Sequence, residues 1–373
     1  MNDSHPDLKN IPDSGEPIAA RSVLRPSYVK RRLSGLYEAG DWTECRYWLR
    51  GLNDTYRVRT EDGGRYMLRV YRADVRESDV VFELELLERL QGKLTDASSA
   101  AVSPAVRLAD GSLYTALQAP EGVRFAALFR EAEGAEDLMQ DEESCIAFGR
   151  SAAELHAAMD EIAPELAAGD FAASSGSVRE YALADGSYAR RAAADAETLL
   201  RAPLRMILAY IGEDHSEANF LRSYAQELEK AAAEAAAGGL DFGICHGDMH
   251  GNNNALRQGD RFAHFDFEFA APGWRAWDVA QFKNRKRQSS EQIEPLWQAF
   301  LQGYRYVRPF SAADEAAVSI FTVIRRFWTM GLDAEISPVL DGELDYGEDW
   351  LHDFIQEFRE NSFGKAVMDL KTS

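Results

Sequence analysis

The stretch His246-Gly247-Asp248-Met249-His250-Gly251-Asn252-Asn253-Asn254, followed by Phe265-Asp266-Phe267-Glu268 and Trp274-Arg275-Ala276-Trp277-Asp278, decides how the chain is read. Asp248 precedes Asn253 with the spacing Asp-x-x-x-x-Asn, by which a short loop aims a carboxylate and an amide oxygen at one point. Phe242-Gly243-Ile244-Cys245 leads in as a buried strand. Beyond the loop, Ala255-Leu256-Arg257 and Arg261-Phe262-Ala263-His264 read as a hairpin across Gln258-Gly259, which delivers Asp266 beside the loop. Moving the terminal phosphoryl group of a nucleotide needs such a set: a carboxylate at the acceptor hydroxyl, and oxygen ligands for Mg²⁺. Singly, Asp248 reads as a turn residue, Asn252 to Asn254 as a polar loop and Asp266 as a helix cap. Jointly, three independent spacings agree on one site. A zinc hydrolase built on His246, Asp248 and His250 would need these residues on one strand face, and Gly247, Gly251 and the Asn run argue for a loop instead.

The segment resembles the aminoglycoside phosphotransferase and choline kinase superfamily, whose signature is His-Gly-Asp-x-His-x-x-Asn followed by Asp-Phe-[Asp/Glu]. The match runs through His246, Gly247, Asp248, His250, Asn253, Asp266 and Glu268. This resemblance implies an α+β, bilobal, protein-kinase-like fold and transfer from ATP or GTP to a hydroxyl of a small molecule. It further implies that Asp248 is the catalytic base and that Asn253 and Asp266 ligate Mg²⁺. His246, His250, Glu268 and Asp278 become supports, with His246 packed under the loop and Asp278 accepting hydrogen bonds from its backbone.

Glu44 to Phe129 reads as short strands. Thr55-Tyr56-Arg57-Val58-Arg59, the turn Glu61-Asp62-Gly63-Gly64 and Tyr66-Met67-Leu68-Arg69-Val70-Tyr71 make a hairpin like the nucleotide cover of a kinase small lobe. No G-x-G-x-x-G loop is present, so phosphates would be met by backbone amides around Asn53, Asp54 and Thr55. Arg69 stands where kinases usually carry a phosphate-binding Lys; it keeps the charge with a different shape. Its expected partner is Glu83, beside the Val80, Leu84, Leu87 and Leu94 stripe of a helix from Ser78 to about Leu94, with Glu85 and Glu88 as competing choices. The runs Ala105 to Leu108, Leu113 to Leu117 and Val123 to Phe129 would complete the sheet. The composition then changes abruptly at Phe129-Arg130-Glu131-Ala132-Glu133-Gly134, which reads as a hinge where the chain around Glu131 and Glu133 would meet the base.

The expected organisation is a disordered arm over 1–20, a nucleotide-binding lobe over 21–130, a hinge over 131–134 and a helical catalytic and acceptor-binding lobe over 135–373. Ser27 is expected to cap a first helix. Cys145, Phe148, Ala152, Leu155 and Met159 step at helical spacing, Ala172 to Asp185 reads as a loop insertion, and helices are expected over Arg191 to Leu204 and Glu217 to Ala237. Later helices span about Ser290 to Tyr304, Ala312 to Met330 and Asp345 to Asn361, with a capping box of Ser311 and Asp314. An acidic cluster of Asp333, Glu335, Asp341, Glu343, Asp345, Glu348 and Asp349, near Trp328, Tyr346 and Trp350, reads as a solvated loop or as the wall of an amine pocket.

Sixty-two acidic against 41 basic residues give a net charge of -21, which repels nucleic acid and anionic membrane surfaces. Three scattered cysteines, no run of about 18 apolar residues and no signal-peptide pattern predict a cytoplasmic protein with no membrane or nucleic-acid partner. Its partners are then a nucleotide and a small hydroxylated acceptor, cationic acceptors being favoured by the charge. A protein Ser/Thr kinase of the same fold and a non-catalytic nucleotide-binding pseudokinase are the competing readings.

Overall fold

The computed structural model describes residues 19–166, 178–182, 188–250, 255–283, 290–339 and 349–370. Helix α1 (Pro26–Leu33) starts at Pro26, whose fixed φ and missing N–H suit a first turn. Ser27 is therefore inside the helix, and Arg25 is the capping residue, contrary to expectation.

Strands β1 (Trp42–Arg50), β2 (Asp54–Thr60) and β3 (Arg65–Val70) form an antiparallel meander. In β2 burial alternates at every residue, so Tyr56 and Val58 enter a core shared with α1 while Thr55, Arg57 and Arg59 take the other face. Gly63, at φ +83, makes the turn between β2 and β3 that an L side chain would strain. Helix α2 (Glu77–Lys93) follows, then β4 (Ala100–Val102), β5 (Thr115–Ala119) and β6 (Gly122–Arg130). The sheet order is β1-β2-β3-β6-β5. Ala105 to Leu108 is not a strand: Pro104 has no N–H to pair, and only single bridges form, from Ala105 to Phe129 and from Leu108 to Tyr37.

The second lobe is built on α3 (Glu142–Leu166). Within the expected loop insertion, β7 (Val178–Ala182) pairs with β8 (Tyr188–Ala192), and the other residues of that stretch lie outside the described ones. The helix expected from Arg191 begins later, as a π-helical turn (Glu197–Arg201) running into α4 (Ala202–Ile211), because β8 claims Arg191 and Ala192. After α5 (Ala218–Ala237) come β9 (Phe242–Cys245), the hairpin β10 (Ala255–Gln258) and β11 (Arg261–His264), and β12 (Ala271–Trp274). Strand β4 pairs with β11 in parallel, which ties the segment after α2 to the second lobe.

Helices α6 (Arg275–Lys283), α7 (Ser290–Val307), α8 (Ala312–Val339), α9 (Trp350–Glu360) and α10 (Ser362–Leu370) complete the chain. The Ser311 and Asp314 box is formed: the Asp314 amide donates to the Ser311 hydroxyl at 3.0 Å, and the Ser311 amide donates to the Asp314 carboxylate at 3.2 Å. Helix α3 packs against α7 so closely that Gly149 faces the Phe300 carbonyl and Gly303 the Ile146 carbonyl, with no room for a Cβ at either. No helix among the described residues is long and apolar enough to cross a membrane. Asp341, Glu343, Asp345, Tyr346 and Glu348 of the acidic cluster, and nearly all of the expected N-terminal arm, lie outside the described residues.

Candidate active site

The loop after β9 is held from four sides. Asp278, buried on α6, accepts the His246 amide at 2.6 Å and the Gly247 amide at 2.8 Å. From Gln281 and Arg325, side-chain N–H groups donate to the Gly247 carbonyl at 3.1 and 2.7 Å. Gly247 itself has φ +83, and a Cβ there would collide with the Phe269 carbonyl. His246 lies beneath the loop, its ring 4.2 Å from that of Phe267 and its Nε2 3.1 Å from the Phe265 carbonyl oxygen. Burial lowers its pKa, with Asp278 opposing, so the ring is neutral and Nε2–H is the donor. That engagement uses His246 as a prop beneath the loop, its Nε2 turned to the Phe265 carbonyl.

Asp248 sits at the tip of this loop, ion-paired with Arg325 and 3.5 Å from His250 Nε2. Burial works to raise its carboxyl, but Arg325, helped by His250, overrides that and leaves it at about 2. Arg325 reaches the loop from α8, flanked by the rings of Trp277 at 4.9 Å and Trp328 at 4.5 Å. The sequence reading missed it because a lone arginine in an amphipathic helix carries no local signal; it becomes visible only once α8 is packed on α6.

Across the cleft, Arg69 of β3 forks between Glu83 of α2 at 2.7 Å and Asp266 at 2.8 Å. Glu83 also accepts the Tyr71 hydroxyl at 2.8 Å, whereas Glu85 pairs with Arg89 and Glu88 with Arg107 on the surface. Burial alone would lower the Arg69 pKa, but Asp266 and Glu83 outweigh it, so the guanidinium stays charged. Asp266 has φ +67, a left-handed conformation uncommon outside glycine, and its side chain is held by the ion pair with Arg69.

Glu268 pairs with Arg72 and accepts Asn53 Nδ2 at 2.6 Å, while Asn53 Oδ1 accepts the Arg72 amide at 3.0 Å. The Asn53 side chain is thus spent on Glu268 of the other lobe and on the Arg72 amide of its own. Asp54 is fully buried against Arg124 at 2.8 Å and Arg50 at 3.0 Å, and Thr55 lies opposite Arg69 in the sheet. Glu131 turns to Arg59 and Arg65, each at 2.9 Å, and Glu133 is exposed at the rim of a crevice beyond the hinge. Asn253 lies outside the described residues. The donors that the described chain offers here, the carboxylates of Asp248, Asp266 and Glu268, are hard oxygen ligands that suit Mg²⁺ and not a thiophilic metal.

Next to the Asp248 loop a cavity of about 420 Å³ opens between the lobes, lined by Gly247, Glu268, Phe269, Trp277, Trp328 and Glu335 among others. Two lobes with an Arg-Glu pair in one, a carboxylate loop in the other and a pocket between them are the architecture of a protein-kinase-like fold.

The profile of the Phosphotransferase enzyme family matches residues 49–310, and the chain belongs to that family. An uncharacterized protein of Deinococcus radiodurans is 36% identical over 322 residues, covering 85% of this chain and 84% of its own length. Homoserine kinase of Neisseria meningitidis serogroup B is 26% identical over 286 residues, 76% of this chain and 80% of that one. Among solved structures, amicoumacin kinase hAmiN in complex with AMP-PNP, Ca²⁺ and Ami superposes with a TM-score of 0.68 at 17% identity, covering 92% of this chain and 94% of that one. The microcompartment-associated aminopropanol kinase gives 0.62 at 19%, with 89% and 94% covered. The likeness establishes the protein-kinase-like fold.

Proposed function

We propose that this protein transfers the γ-phosphoryl group of ATP or GTP to a hydroxyl of a small molecule, in the presence of Mg²⁺. The observation that carries this reading is the place of Asp248: its loop borders, through Gly247, the pocket of about 420 Å³, and Arg325 holds its carboxylate at the tip of that loop. An acceptor hydroxyl entering the pocket donates its hydrogen bond to Asp248, which aligns the oxygen for in-line attack on phosphorus. With the carboxyl at about 2, Asp248 is a weak base, so its main contribution is orientation, with the proton accepted late in the transfer. Asp266 and Asn253 would hold Mg²⁺, whose bound form neutralises charge on the phosphate oxygens. Arg69, fixed by Glu83, would bind the phosphates, and backbone amides from Asn53 to Thr55 would cover them.

The pocket favours an amine-bearing acceptor. Asp74, Asp79, Glu268 and Glu335 outnumber Arg72 and Arg76 in its lining and leave it net negative, and Phe269, Trp277 and Trp328 supply aromatic faces. That similar proteins carry names for kinases of amicoumacin, aminopropanol and homoserine agrees with a small hydroxylated amine. A pocket of about 420 Å³ supports such an acceptor over a protein segment by its size, and the intact Arg69 to Glu83 pair supports an active enzyme over a pseudokinase.

The test is Mg²⁺-dependent consumption of the γ-phosphate against a panel of amino alcohols, hydroxy amino acids and aminoglycosides, for wild type and Asp248→Ala. Acceptor-dependent turnover is expected, and a loss of about 10²-fold or more in kcat in the variant. Full turnover in Asp248→Ala would overturn the role given to this residue.

A further inference from the structure

The turn between β1 and β2, Gly51-Leu52-Asn53, reaches the carboxylate segment of the second lobe, since Asn53 Nδ2 donates to Glu268, two residues past Asp266. The turn closes on itself through the Gly51 amide, which donates to the Asn53 carbonyl at 3.0 Å. Its other two carbonyls are taken by one nitrogen from outside the sheet. Arg21 Nη2 donates to the Gly51 carbonyl and, at 2.8 Å, to the Leu52 carbonyl.

In a planar trans peptide the C=O of one residue and the N–H of the next point in opposite directions. The Gly51 and Leu52 carbonyls face Arg21, so the Leu52 and Asn53 amides face away from it. Neither amide has a hydrogen-bond partner among the described residues, although Asn53 is buried. Two successive main-chain donors without acceptors suit an anion.

Arg21 is an expensive choice for this place if it served stability alone. Burial lowers its pKa, with Arg50 adding to the effect, and its Nε is buried with no hydrogen-bond partner among the described residues. The backbone around it is fastened by other groups. The Ser22 amide and hydroxyl donate to Glu121 at 3.1 and 2.6 Å, and the Ser22 carbonyl accepts Arg124 Nη1 at 2.9 Å. Further on, the Leu24 carbonyl accepts the Tyr56 hydroxyl at 2.7 Å. Arg124 also pairs with Asp54, the first residue past the turn, at 2.8 Å. The hydrogen bonds of the Arg21 side chain go to the turn alone.

We propose that Arg21 is a positioning residue for the donor nucleotide: by holding the Gly51 and Leu52 carbonyls it turns the Leu52 and Asn53 amides to the phosphate oxygens. A glycine-rich loop reaches such peptide orientations through its own backbone freedom. This chain has no such loop and fixes them with a side chain that precedes the first helix. The proposal rests on the kinase reading above and specifies how its phosphates are met.

Equilibrium binding to the full chain tests it without knowledge of the acceptor. Calorimetry measures Kd for MgATP, MgGTP and the two nucleosides on wild type, Arg21→Met and Arg21→Lys, with thermal melts alongside. In Arg21→Met the Kd of the preferred triphosphate should rise about 10-fold, while the nucleoside Kd and the melting temperature stay at wild-type values. Arg21→Lys should fall between, because an ammonium still donates to the carbonyls without the shape of the guanidinium; it keeps the test open if Arg21→Met fails to fold. A triphosphate Kd unchanged in both variants overturns the proposal and makes Arg21 a staple for the N-terminal segment. An equal rise for triphosphate and nucleoside overturns it as well, since the phosphates would not be what the turn meets. Either result leaves the kinase reading in place. Failure of wild type to bind either nucleotide overturns the kinase reading and this proposal together.

Discussion

Arg325 and Asp248 form an ion pair across 77 positions of sequence, and the same guanidinium donates to the Gly247 carbonyl at 2.7 Å. The pair holds the Asp248 carboxyl below its unfolded value of about 3.9, so its contribution is present above that value and lost as pH falls through about 2. In Arg325→Met, burial acts on Asp248 with His250 and His246 to oppose it, and the carboxyl rises. The acid limb of the kcat/KM profile should move up by about 1–3 pH units, with kcat also reduced because the loop loses a tether. A limb that stays in place would show that Arg325 does not set the ionisation of Asp248.

Gly247→Ala tests the shape of the loop. Its φ of +83 strains any L side chain, and the Phe269 carbonyl occupies the space of the new Cβ. Backbone strain of about 1–3 kcal/mol together with the collision should displace Asp248. Chemical denaturation should show the stability loss, and turnover should fall by more than the loss of folded protein accounts for.

Asp278 satisfies two buried amides of the loop and stands 3.1 Å from His156 Nε2. Burial pushes His156 well below its ordinary value, with Arg275 adding to the effect, so that ring is neutral and cannot compensate for a lost carboxylate. Asp278→Ala strands both amides at about 1–3 kcal/mol each. Asp278→Asn retains one acceptor oxygen and presents an amine to the other amide. Urea midpoints should therefore order wild type above Asn above Ala, and an Ala variant as stable as wild type would contradict the assigned contacts.

At Gly303→Ala two effects compete. Replacing glycine within a helix ordinarily gains about 1 kcal/mol, but here the Ile146 carbonyl of α3 lies where the methyl would go. Overpacking costs about 1–3 kcal/mol, so the net change should be destabilising. Since the contact is between α3 and α7, Kd for nucleotide should be unchanged in the folded variant. A raised melting temperature would mean that the helices separate freely.

Much of this architecture was legible in the chain because it is encoded locally. The spacing of Asp248, Asn253 and Asp266, the alternation of β2, the turn at Gly63 and the stripe of α2 are all short-range patterns. Glu83 could be chosen as the partner of Arg69 from its place beside that stripe, and the structure pairs them at 2.7 Å. Errors arose where tertiary pairing overrides local preference. Ala105 to Leu108 has strand composition, yet Pro104 withholds a donor and the segment makes only single bridges, to Phe129 and Tyr37. Arg191 has helical neighbours, yet it pairs in β8.

The sequence by itself determined the turn at Gly63, the alternation of β2 and the buried stripe of α2, since each depends on residues within a few positions of one another. Only the tertiary structure decided which charges meet. Arg325 against Asp248 and Asn53 against Glu268 each join different elements, and a guanidinium in a helix or strand has no periodicity that names its partner. Arg325 then sets the ionisation of Asp248 against its burial, because the electrostatics of a carboxylate depend on the groups packed around it and not on its neighbours in the chain.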